Sequence, residues 1–326
     1  MKSKSLRIIY MGTPDFAVAP LVKLLESGFN VVGVITAPDK PAGRGKKIRQ
    51  SPVKQYSLQN NPDIPILQPA NLKDPEFVQH LREMEPDLQI VVAFRMLPEV
   101  IWRIPRLGTF NLHASLLPQY RGAAPIHHAI INGETETGVT TFLIDEKIDT
   151  GNILLQEKTT IGDMETTGEL HDRLMDLGAT LVLKTVSGLA QNNLQAKSQD
   201  HFLGSETQLK KAPKIFKEDC RITWDGSVRD VFNQIRGLSP YPGAFTFLST
   251  GQDEKILCKI FSATFETGPQ DRSPGTIHTD GKKFMEVALK DGAIRILSIQ
   301  MEGKRRLDIR DFLAGIKLTS SPCRFF

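Results

Sequence analysis

The 326-residue chain has little of several features that would define its class. Its three cysteines, Cys220, Cys258 and Cys323, are too few and too scattered for a disulfide scaffold, and they fit a reducing compartment. No apolar stretch reaches the roughly 20 residues that a membrane helix needs. The apolar run near the start is too short for a signal peptide. We therefore expect a cytoplasmic protein with no membrane partner.

The chain also lacks a strong charge of either sign, since 41 basic and 37 acidic residues leave a net charge of +4. The charge is unevenly placed, however. Residues 38 to 54 hold six basic residues and one acidic residue, and residues 210 to 326 hold 20 basic and 14 acidic residues. Solvated charge runs are common, but such clusters also suit phosphate, because Lys and Arg displace condensed counterions.

Three familiar motifs are missing as well. The segment 12 to 16 after the first apolar run is not G-x-G-x-x-G, which weakens the case for a dinucleotide cofactor, and the segment 43 to 47 lacks the spacing of a P-loop. The histidines and cysteines show no spacing typical of zinc sites. We expect no metal.

The length favours two domains, and the first half alternates strand-like and helix-like patterns. Strands are predicted at 6 to 11, 30 to 35 and 87 to 94, and helices at 17 to 26, 76 to 84 and 166 to 190. This alternation predicts an α/β domain with a doubly wound, mostly parallel sheet, whose ligands bind at the carboxyl ends of the strands. Residues 37 to 52 are rich in proline and glycine and are predicted to be irregular.

The pattern changes after a polar stretch at residues 191 to 209, which we interpret as a linker. Beyond it lie short strand patterns at 244 to 248, 256 to 261, 284 to 289 and 293 to 299, with a helix candidate at 228 to 235. These predict a small β-barrel or sandwich. The expected organisation is a catalytic domain at 1–190 with a basic insertion at 38–54, a linker at 191–209, and a second domain at 210–326.

Asn111 and His113 carry the first chemical hypothesis. On a strand, their spacing of two places both side chains on one face. An amide donor beside an imidazole can hold a carbonyl oxygen as it becomes an oxyanion. Alternatively, Asn111 caps a turn and His113 is an interior histidine with satisfied hydrogen bonds.

Asp149 carries the second hypothesis, because it follows an apolar strand and precedes Thr-Gly. A carboxylate there could orient a histidine or take a proton from an attacking amine. The alternative is a turn aspartate, since Asp-Thr-Gly is ordinary turn chemistry.

These three residues, with HASLLP at 113 to 118 and DTG at 149 to 151, resemble the catalytic signature of the folate-dependent formyltransferases. The resemblance extends along the chain through five further segments: GTPDFA at 12 to 17, PDKPAGRGKK at 38 to 47, LLPQYRGAAPI at 116 to 126, IRGLSPYPGA at 235 to 244 and GKRRLDIRDFLAG at 303 to 315. The last two segments favour members that act on tRNA, because single-domain relatives acting on a ribonucleotide lack them.

The resemblance implies a Rossmann-like catalytic domain and an OB-like C-terminal barrel that binds tRNA. It implies that 10-formyltetrahydrofolate is the formyl donor and co-substrate, and that the α-amino group of methionine on initiator tRNA is the acceptor, for translation initiation. It implies no obligate protein partner.

The resemblance also assigns residues. Asn111 and His113 would stabilise the oxyanion, while Asp149 would orient His113 and help to move the proton of the amine. The expected folate-binding residues follow three strand ends: Phe94, Arg95, Met96, Leu97, Ser115, Leu116, Leu117, Pro118 and Asp145. The expected tRNA-binding residues are basic: Lys40, Arg44, Lys46, Lys47, Lys304, Arg305 and Arg306. Arg44 would be the central arginine of an arm, residues 38–54, that enters the acceptor stem.

Two other functions stay open. A formyltransferase acting on a sugar nucleotide or a small amine would share the catalytic triple but would have no need of a long basic arm. A non-catalytic RNA-binding protein on the same fold would explain the charge but not the triple. Residues 319 to 326 are left without a role.

Overall fold

The computed structural model describes residues 5–42, 47–203, 208–249, 255–316, 318 and 323–326. The chain forms two compact units. The α/β unit comprises Met1–Gly122, Thr137–Thr160 and His171–Lys211, and the barrel unit comprises Ala123–Glu136, Ile161–Leu170 and Ala212–Phe326. Two segments from the middle of the chain thus group with the C-terminal part. The domain bounds that we expect at 190 and 210 stay a prediction.

A seven-stranded sheet forms the centre of the α/β unit. Its strands, in chain order, are β1 (Ile8–Gly12), β2 (Val31–Ile35), β5 (Ile66–Leu67), β6 (Leu88–Val92), β7 (Thr109–His113), β9 (Glu136–Leu143) and β10 (Ile153–Thr160). The spatial order is β10-β9-β7-β6-β1-β2-β5. The strands from β7 to β5 in this order pair in parallel, and β9 is antiparallel to β7. The predicted mostly parallel sheet is confirmed. β1 and β6 are buried along their whole length, which is why they are continuous apolar runs.

The helices of the first two thirds of the chain are α1 (Val18–Glu26), α2 (Pro52–Asn60), α3 (Pro75–Glu83), α4 (Glu99–Trp102), α5 (Pro125–Ile131) and α6 (Thr167–Ala190). The predictions at 17 to 26, 76 to 84 and 166 to 190 correspond to α1, α3 and α6. Sequence patterning missed α2, which is weakly amphipathic. Its start is nevertheless encoded locally, since Ser51 accepts a hydrogen bond from the Lys54 amide and Pro52 occupies the first turn.

The prediction that residues 37 to 52 are irregular is wrong in part. Strand β3 (Lys40–Ala42) pairs antiparallel with β4 (Lys47–Arg49), with Pro41 opposite Ile48. Proline is tolerated in such a two-stranded hairpin because its missing N–H can face away from the partner strand. The β3–β4 hairpin has few packing contacts at this position, since the Ile48 side chain is 72% exposed.

An antiparallel barrel forms the barrel unit. Its strands are β12 (Ala244–Ser249), β13 (Lys255–Thr267), β14 (Ile277–Thr279), β15 (Met285–Leu289), β16 (Gly292–Met301) and β18 (Arg324–Phe325), in the order β14-β15-β16-β13-β12-β18. Backbone hydrogen bonds then join the two ends, because the Ile277 amide donates to Cys323 and the Phe325 amide donates to Gly275. The sheet is therefore nearly closed, and the prediction of a small OB-like barrel is confirmed. Three further short strands are β8 (Arg121–Gly122), β11 (Lys211–Ala212) and β17 (Leu307–Asp308).

The interior of the barrel unit is apolar. Helices α7 (Val228–Gly237) and α8 (Ile309–Gly315) contribute Phe232 and Phe312 to it, and the Trp224 and Phe325 rings stack there at 5.6 Å between centroids. The three cysteines are buried. Burial raises the pKa of the Cys258 thiol to about 12, so this cysteine is a packing residue. No helix among the described residues is both long and apolar enough to span a membrane.

Candidate active site

Three neighbouring strands of the α/β unit end at one edge of the sheet. β7, β6 and β1 lie side by side and parallel, so their carboxyl ends at His113, Val92 and Gly12 face the same way. The segments that follow Met11 and Phe94 therefore share this edge with the HASLLP segment, and α/β folds bind their ligands at such an edge.

Asn111 and His113 both lie on β7, and their side chains share one face of the sheet. His113 is buried, and its Nε2 lies 2.9 Å from the Tyr120 carbonyl oxygen. Because a carbonyl oxygen can only accept a hydrogen bond, Nε2 of His113 carries the proton of this contact. Asn111 is half-buried, and the structure records no hydrogen bond from its side-chain amide to any described residue. The amide is thus available to a ligand.

Asp149 lies beside His113. One carboxylate oxygen, Oδ2, accepts the Gly122 amide at 2.9 Å and lies 3.8 Å from Nδ1 of His113. That distance is an ion-pair contact rather than a hydrogen bond, so the Tyr120 carbonyl holds the ring and Asp149 supplies a nearby charge. The Asp149 backbone is left-handed, with φ of 55°, a conformation that aspartate tolerates better than most residues.

A steric constraint explains the glycine of the Asp-Thr-Gly sequence. A Cβ atom on Gly151 would lie 1.6 Å from the Leu143 carbonyl oxygen at the end of β9. Only glycine permits this approach, which brings the Asp149 turn back against the strand.

Gln199 fixes the same turn, although it belongs to the segment that we interpret as a linker. It is 3% exposed, and its Nε2 donates to the carbonyls of Asp149 and Gly151 at 2.9 Å each. Its Oε1 accepts from the Arg121 guanidinium at 2.6 Å. Sequence reasoning missed Gln199, because a glutamine in a polar stretch gives no local signal.

The HASLLP segment is held by two further residues that the sequence did not indicate. Thr140 Oγ1 donates to the Ser115 carbonyl at 2.6 Å, and Gln156 donates to the Leu117 carbonyl at 2.7 Å. The Ser115 hydroxyl donates within the loop to the Gln119 carbonyl. Of the predicted folate residues here, Ser115, Leu117 and Pro118 are buried and Leu116 is half-buried. These internal bonds fix the loop that follows the histidine.

The segment after β6 is more open. Phe94 is half-buried, Leu97 is buried and Met96 is 70% exposed. The Arg95 guanidinium folds back and donates to the carbonyls of Pro69 and Ala70. Arg95, Met96 and Leu97 line a groove of about 1220 Å³ together with residues 70–73 and 98–100, and the groove does not include Asn111, His113 or Asp149. Asp145, the predicted folate residue that follows β9, is exposed and accepts a hydrogen bond from the Thr150 hydroxyl at 2.8 Å.

Comparison with known proteins decides the family. The chain matches the family described as formyl transferase over residues 6–186, and the formyl transferase C-terminal domain over residues 214–317. The chain belongs to the formyl transferase family. It is 54% identical over 319 residues to the methionyl-tRNA formyltransferase of Bacteroides thetaiotaomicron, and 54% identical over 321 residues to that of Bacteroides fragilis. Each match covers 98% of this chain and 98% of the relative.

Solved structures of lower identity share the formyltransferase fold. HypX from Aquifex aeolicus, solved with tetrahydrofolic acid, superposes with a TM-score of 0.62 at 17% identity. The match covers 94% of this chain and 47% of HypX, so the chain spans about half the length of that protein. An N-formyltransferase from Helicobacter canadensis, solved with folinic acid and dTDP-3-aminofucose, gives a TM-score of 0.63 at 19% identity, over 93% of this chain and all of that chain.

The basic residues of this formyltransferase lie on two surfaces. Lys40 is exposed on β3, whereas Arg44, Lys46 and the Lys47 side chain lie outside the described residues. Lys304, Arg305 and Arg306 are exposed in the turn that follows β16.

The base of the basic arm is held by a polar cluster. Lys54 Nζ lies 2.7 Å from Asp39 Oδ2 and 2.7 Å from Gln68 Oε1, and the Gln68 amide donates to Asp39 Oδ1 at 2.8 Å. The hydrogen bond from Lys54, followed by that from Gln68, lowers the pKa of the Asp39 carboxyl. Asp39 precedes β3 and Lys54 lies in α2, so this cluster, the Asp39–Lys54 clamp, ties both ends of the arm together. Lys54 is therefore a structural cation.

Among the residues that the structure describes, no three His, Cys, Asp or Glu side chains are grouped so as to hold a metal ion. The chemistry that this formyltransferase can perform with its own residues is hydrogen-bond donation, charge stabilisation and proton movement.

Proposed function

We propose that this chain catalyses the methionyl-tRNA formyltransferase reaction, in which the formyl group of 10-formyltetrahydrofolate passes to the α-amino group of methionine on initiator tRNA. The observation that carries the proposal is the 54% identity, over 98% of both chains, to enzymes of that activity. The reaction prepares the charged tRNA for translation initiation, which places the protein in the cytoplasm.

The Asn111 amide donates to the formyl oxygen as that oxygen gains negative charge. Its side chain has no hydrogen bond to any described residue, so no internal contact must break before it binds the substrate. An oxyanion donor of this kind is worth about 10²- to 10³-fold in rate. His113 is the second donor, through Nδ1 of the doubly protonated ring, because Nε2–H already donates to the Tyr120 carbonyl.

Asp149 acts on the proton that the methionyl amine must lose. Its carboxylate lies 3.8 Å from His113 Nδ1 and is anchored by the Gly122 amide. A carboxylate at that distance stabilises a protonated ring and can accept the amine proton directly or through one water. No covalent bond to the protein is required.

The folate binds at the carboxyl ends of β6 and β7. The segment from Phe94 to Leu97, which follows β6, offers apolar side chains and backbone groups to the pterin and to the chain that extends from it. Leu116 and Asp145 complete the expected contacts from the HASLLP segment and from the loop after β9. When bound, the folate supplies the activated formyl group.

The tRNA is bound through its phosphates and shape by the basic arm and by the barrel, as is usual for RNA helices. Lys40, Arg44, Lys46 and Lys47 act from the arm, and Lys304, Arg305 and Arg306 from the barrel. Arg44→Ala raises the KM for tRNA and leaves folate binding unchanged. An equal loss of both would assign Arg44 to the folate pocket or to the fold.

One assay tests the proposal against its rivals. The purified chain is offered 10-formyltetrahydrofolate with charged initiator tRNA, charged elongator tRNA or an amino-sugar nucleotide, and formyl transfer is followed for each. We expect transfer to initiator tRNA far above the other two. Preference for the amino sugar would replace the proposed acceptor, and RNA binding without transfer to any acceptor would exclude an enzyme.

A further inference from the structure

The loop from Leu238 to Gly243, which joins α7 to β12, presents one aromatic side chain to solvent. Tyr241 is 79% exposed, a larger exposed fraction than that of any other large apolar side chain among the described residues. The functional residues assigned above do not include it. A single exposed aromatic ring is common in mobile loops, but the backbone of this loop is fixed.

Three hydrogen bonds fix the Tyr241 loop, two from residues outside it and one within it. The His127 ring donates from Nε2 to the Tyr241 carbonyl at 3.1 Å, and Lys259 Nζ donates to the Pro242 carbonyl at 2.7 Å. Within the loop, the Gly243 amide donates to the Leu238 carbonyl at 2.8 Å. The backbone beneath the ring is therefore ordered before any ligand binds, which reduces the entropy that binding must cost.

A cation lies on the same part of the barrel. The Phe261 ring contacts the loop so closely that a Cβ atom on Gly243 would lie 3.2 Å from it. The Arg306 guanidinium covers the same ring, with Cζ 4.7 Å from the centroid, and its Nε donates to Ser298 Oγ at 2.7 Å. Phe261 thus contacts both the Tyr241 loop and an exposed arginine whose position is fixed.

A flat, exposed ring and a fixed cation that share Phe261 as a neighbour match the chemistry of an unpaired nucleotide. Bases stack on aromatic side chains, and the adjoining phosphate binds arginine or lysine. The phenol offers the ring face to any base, so the contact depends on a base being unpaired rather than on its identity. An acidic protein surface would use Arg306 but would have no need of the ring.

We propose that Tyr241 is a stacking platform for an unpaired base of the RNA substrate, and that Arg306 binds the neighbouring phosphate. The proposal rests on the proposed function, since it assumes that the acceptor is an RNA. It adds a nucleotide contact to the barrel at a residue outside the basic segments.

Substitution of Tyr241 tests the platform. Stacking is worth about 1–3 kcal/mol per base, so Tyr241→Ala should raise the KM for charged initiator tRNA roughly fivefold to a hundredfold, while the KM for the folate and the melting temperature stay unchanged. Tyr241→Phe keeps the ring face and should stay within about twofold of the original chain. Met164→Ala, which removes an exposed apolar side chain without a ring from the same unit, is the control and should have no effect.

A spectroscopic experiment separates stacking from simple contact. In Tyr241→Trp, a single-stranded oligoadenylate should quench the added indole fluorescence, and a blunt RNA duplex of equal length should not. Equal quenching by both, no quenching by either, or an unchanged tRNA KM for Tyr241→Ala would overturn the platform. If the original chain transfers no formyl group to tRNA in the same assay, the proposed function itself fails, so the two failures are distinguishable.

Discussion

The polar residues at the sheet edge and those on the barrel surface are held in place for different tasks. His113 is buried and Asp149 is half-buried, and each has a hydrogen-bond partner in the segment from Tyr120 to Gly122. Tyr241 and Arg306 are exposed, and hydrogen bonds hold only their supports, namely the loop backbone and the guanidinium Nε. A buried, fixed group can stabilise charge without reorganisation, whereas recognition of a large RNA needs groups that the partner can reach. Substitutions in the two regions should therefore change different kinetic constants.

The largest effect is expected at the sheet edge. His113→Ala removes a donor from the reacting oxygen and should lower kcat about 10²- to 10³-fold with little change in the KM for tRNA. Asp149→Asn, which keeps an oxygen for the Gly122 amide but removes the charge, should also lower kcat. Steady-state kinetics measure both, and circular dichroism checks folding. His80→Ala, at an exposed position on α3, serves as the control. Near-normal turnover in either active-site variant would refute the assignment.

A smaller effect, on KM rather than kcat, is expected at the Asp39–Lys54 clamp. Lys54→Met frees the two ends of the arm, and because partly exposed ion pairs contribute about 1 kcal/mol or less, the KM for tRNA should rise roughly threefold to fivefold. Exchange of the two charges, Asp39→Lys with Lys54→Asp, should restore part of the loss. Since the pKa of Asp39 is lowered, the clamp stays charged above the ordinary aspartate range and weakens only as the pH falls through that lowered value.

The control for the clamp is Lys184→Met, because Lys184 forms an exposed pair with Glu157 at 3.1 Å. It should leave both KM values unchanged. A fall in kcat for Lys54→Met with a normal tRNA KM would show that the clamp serves the active site instead of the arm.

The smallest effect is expected for a single surface charge. Arg306→Gln should raise the KM for tRNA about twofold to threefold at low salt, and should reduce the slope of log affinity against log salt by about 1, because one phosphate contact is lost. Binding titrations between 50 and 200 mM salt measure this slope. An unchanged slope, compared with Lys184→Gln as a control, would remove Arg306 from the RNA surface.

The sequence predicted most of the sheet, because buried parallel strands are continuous apolar runs such as residues 87 to 94. It missed α2, whose apolar face is weak, and the β3–β4 hairpin, where Pro41 and the flanking glycines indicated a loop. Pairing between short strands is a property of two segments at once, so local patterning cannot show it.

The sequence likewise indicated some residues of the candidate site and missed others. Asn111, His113 and Asp149 were found because their spacing and flanking segments resemble a family signature, and the structure places His113 and Asp149 in contact. Tyr120, within the quoted segment 116 to 126, holds His113 through its carbonyl, whereas the other supports, Thr140, Gln156 and Gln199, use hydroxyl or amide side chains from distant segments. No short motif records such contacts, which arise only when the chain has folded.

The barrel unit is built from three separate stretches of the chain, so its parts leave the ribosome at different times. Helix α5 packs against α7, and Ile131 lies against the core of the barrel unit, yet α7 follows α5 by roughly 100 residues. At about 5–20 residues per second of translation, α5 waits on the order of 5–20 seconds for its partner. Its apolar face is then open to chaperones on the nascent chain, and separate expression of residues 1–190 would leave that face permanently uncovered.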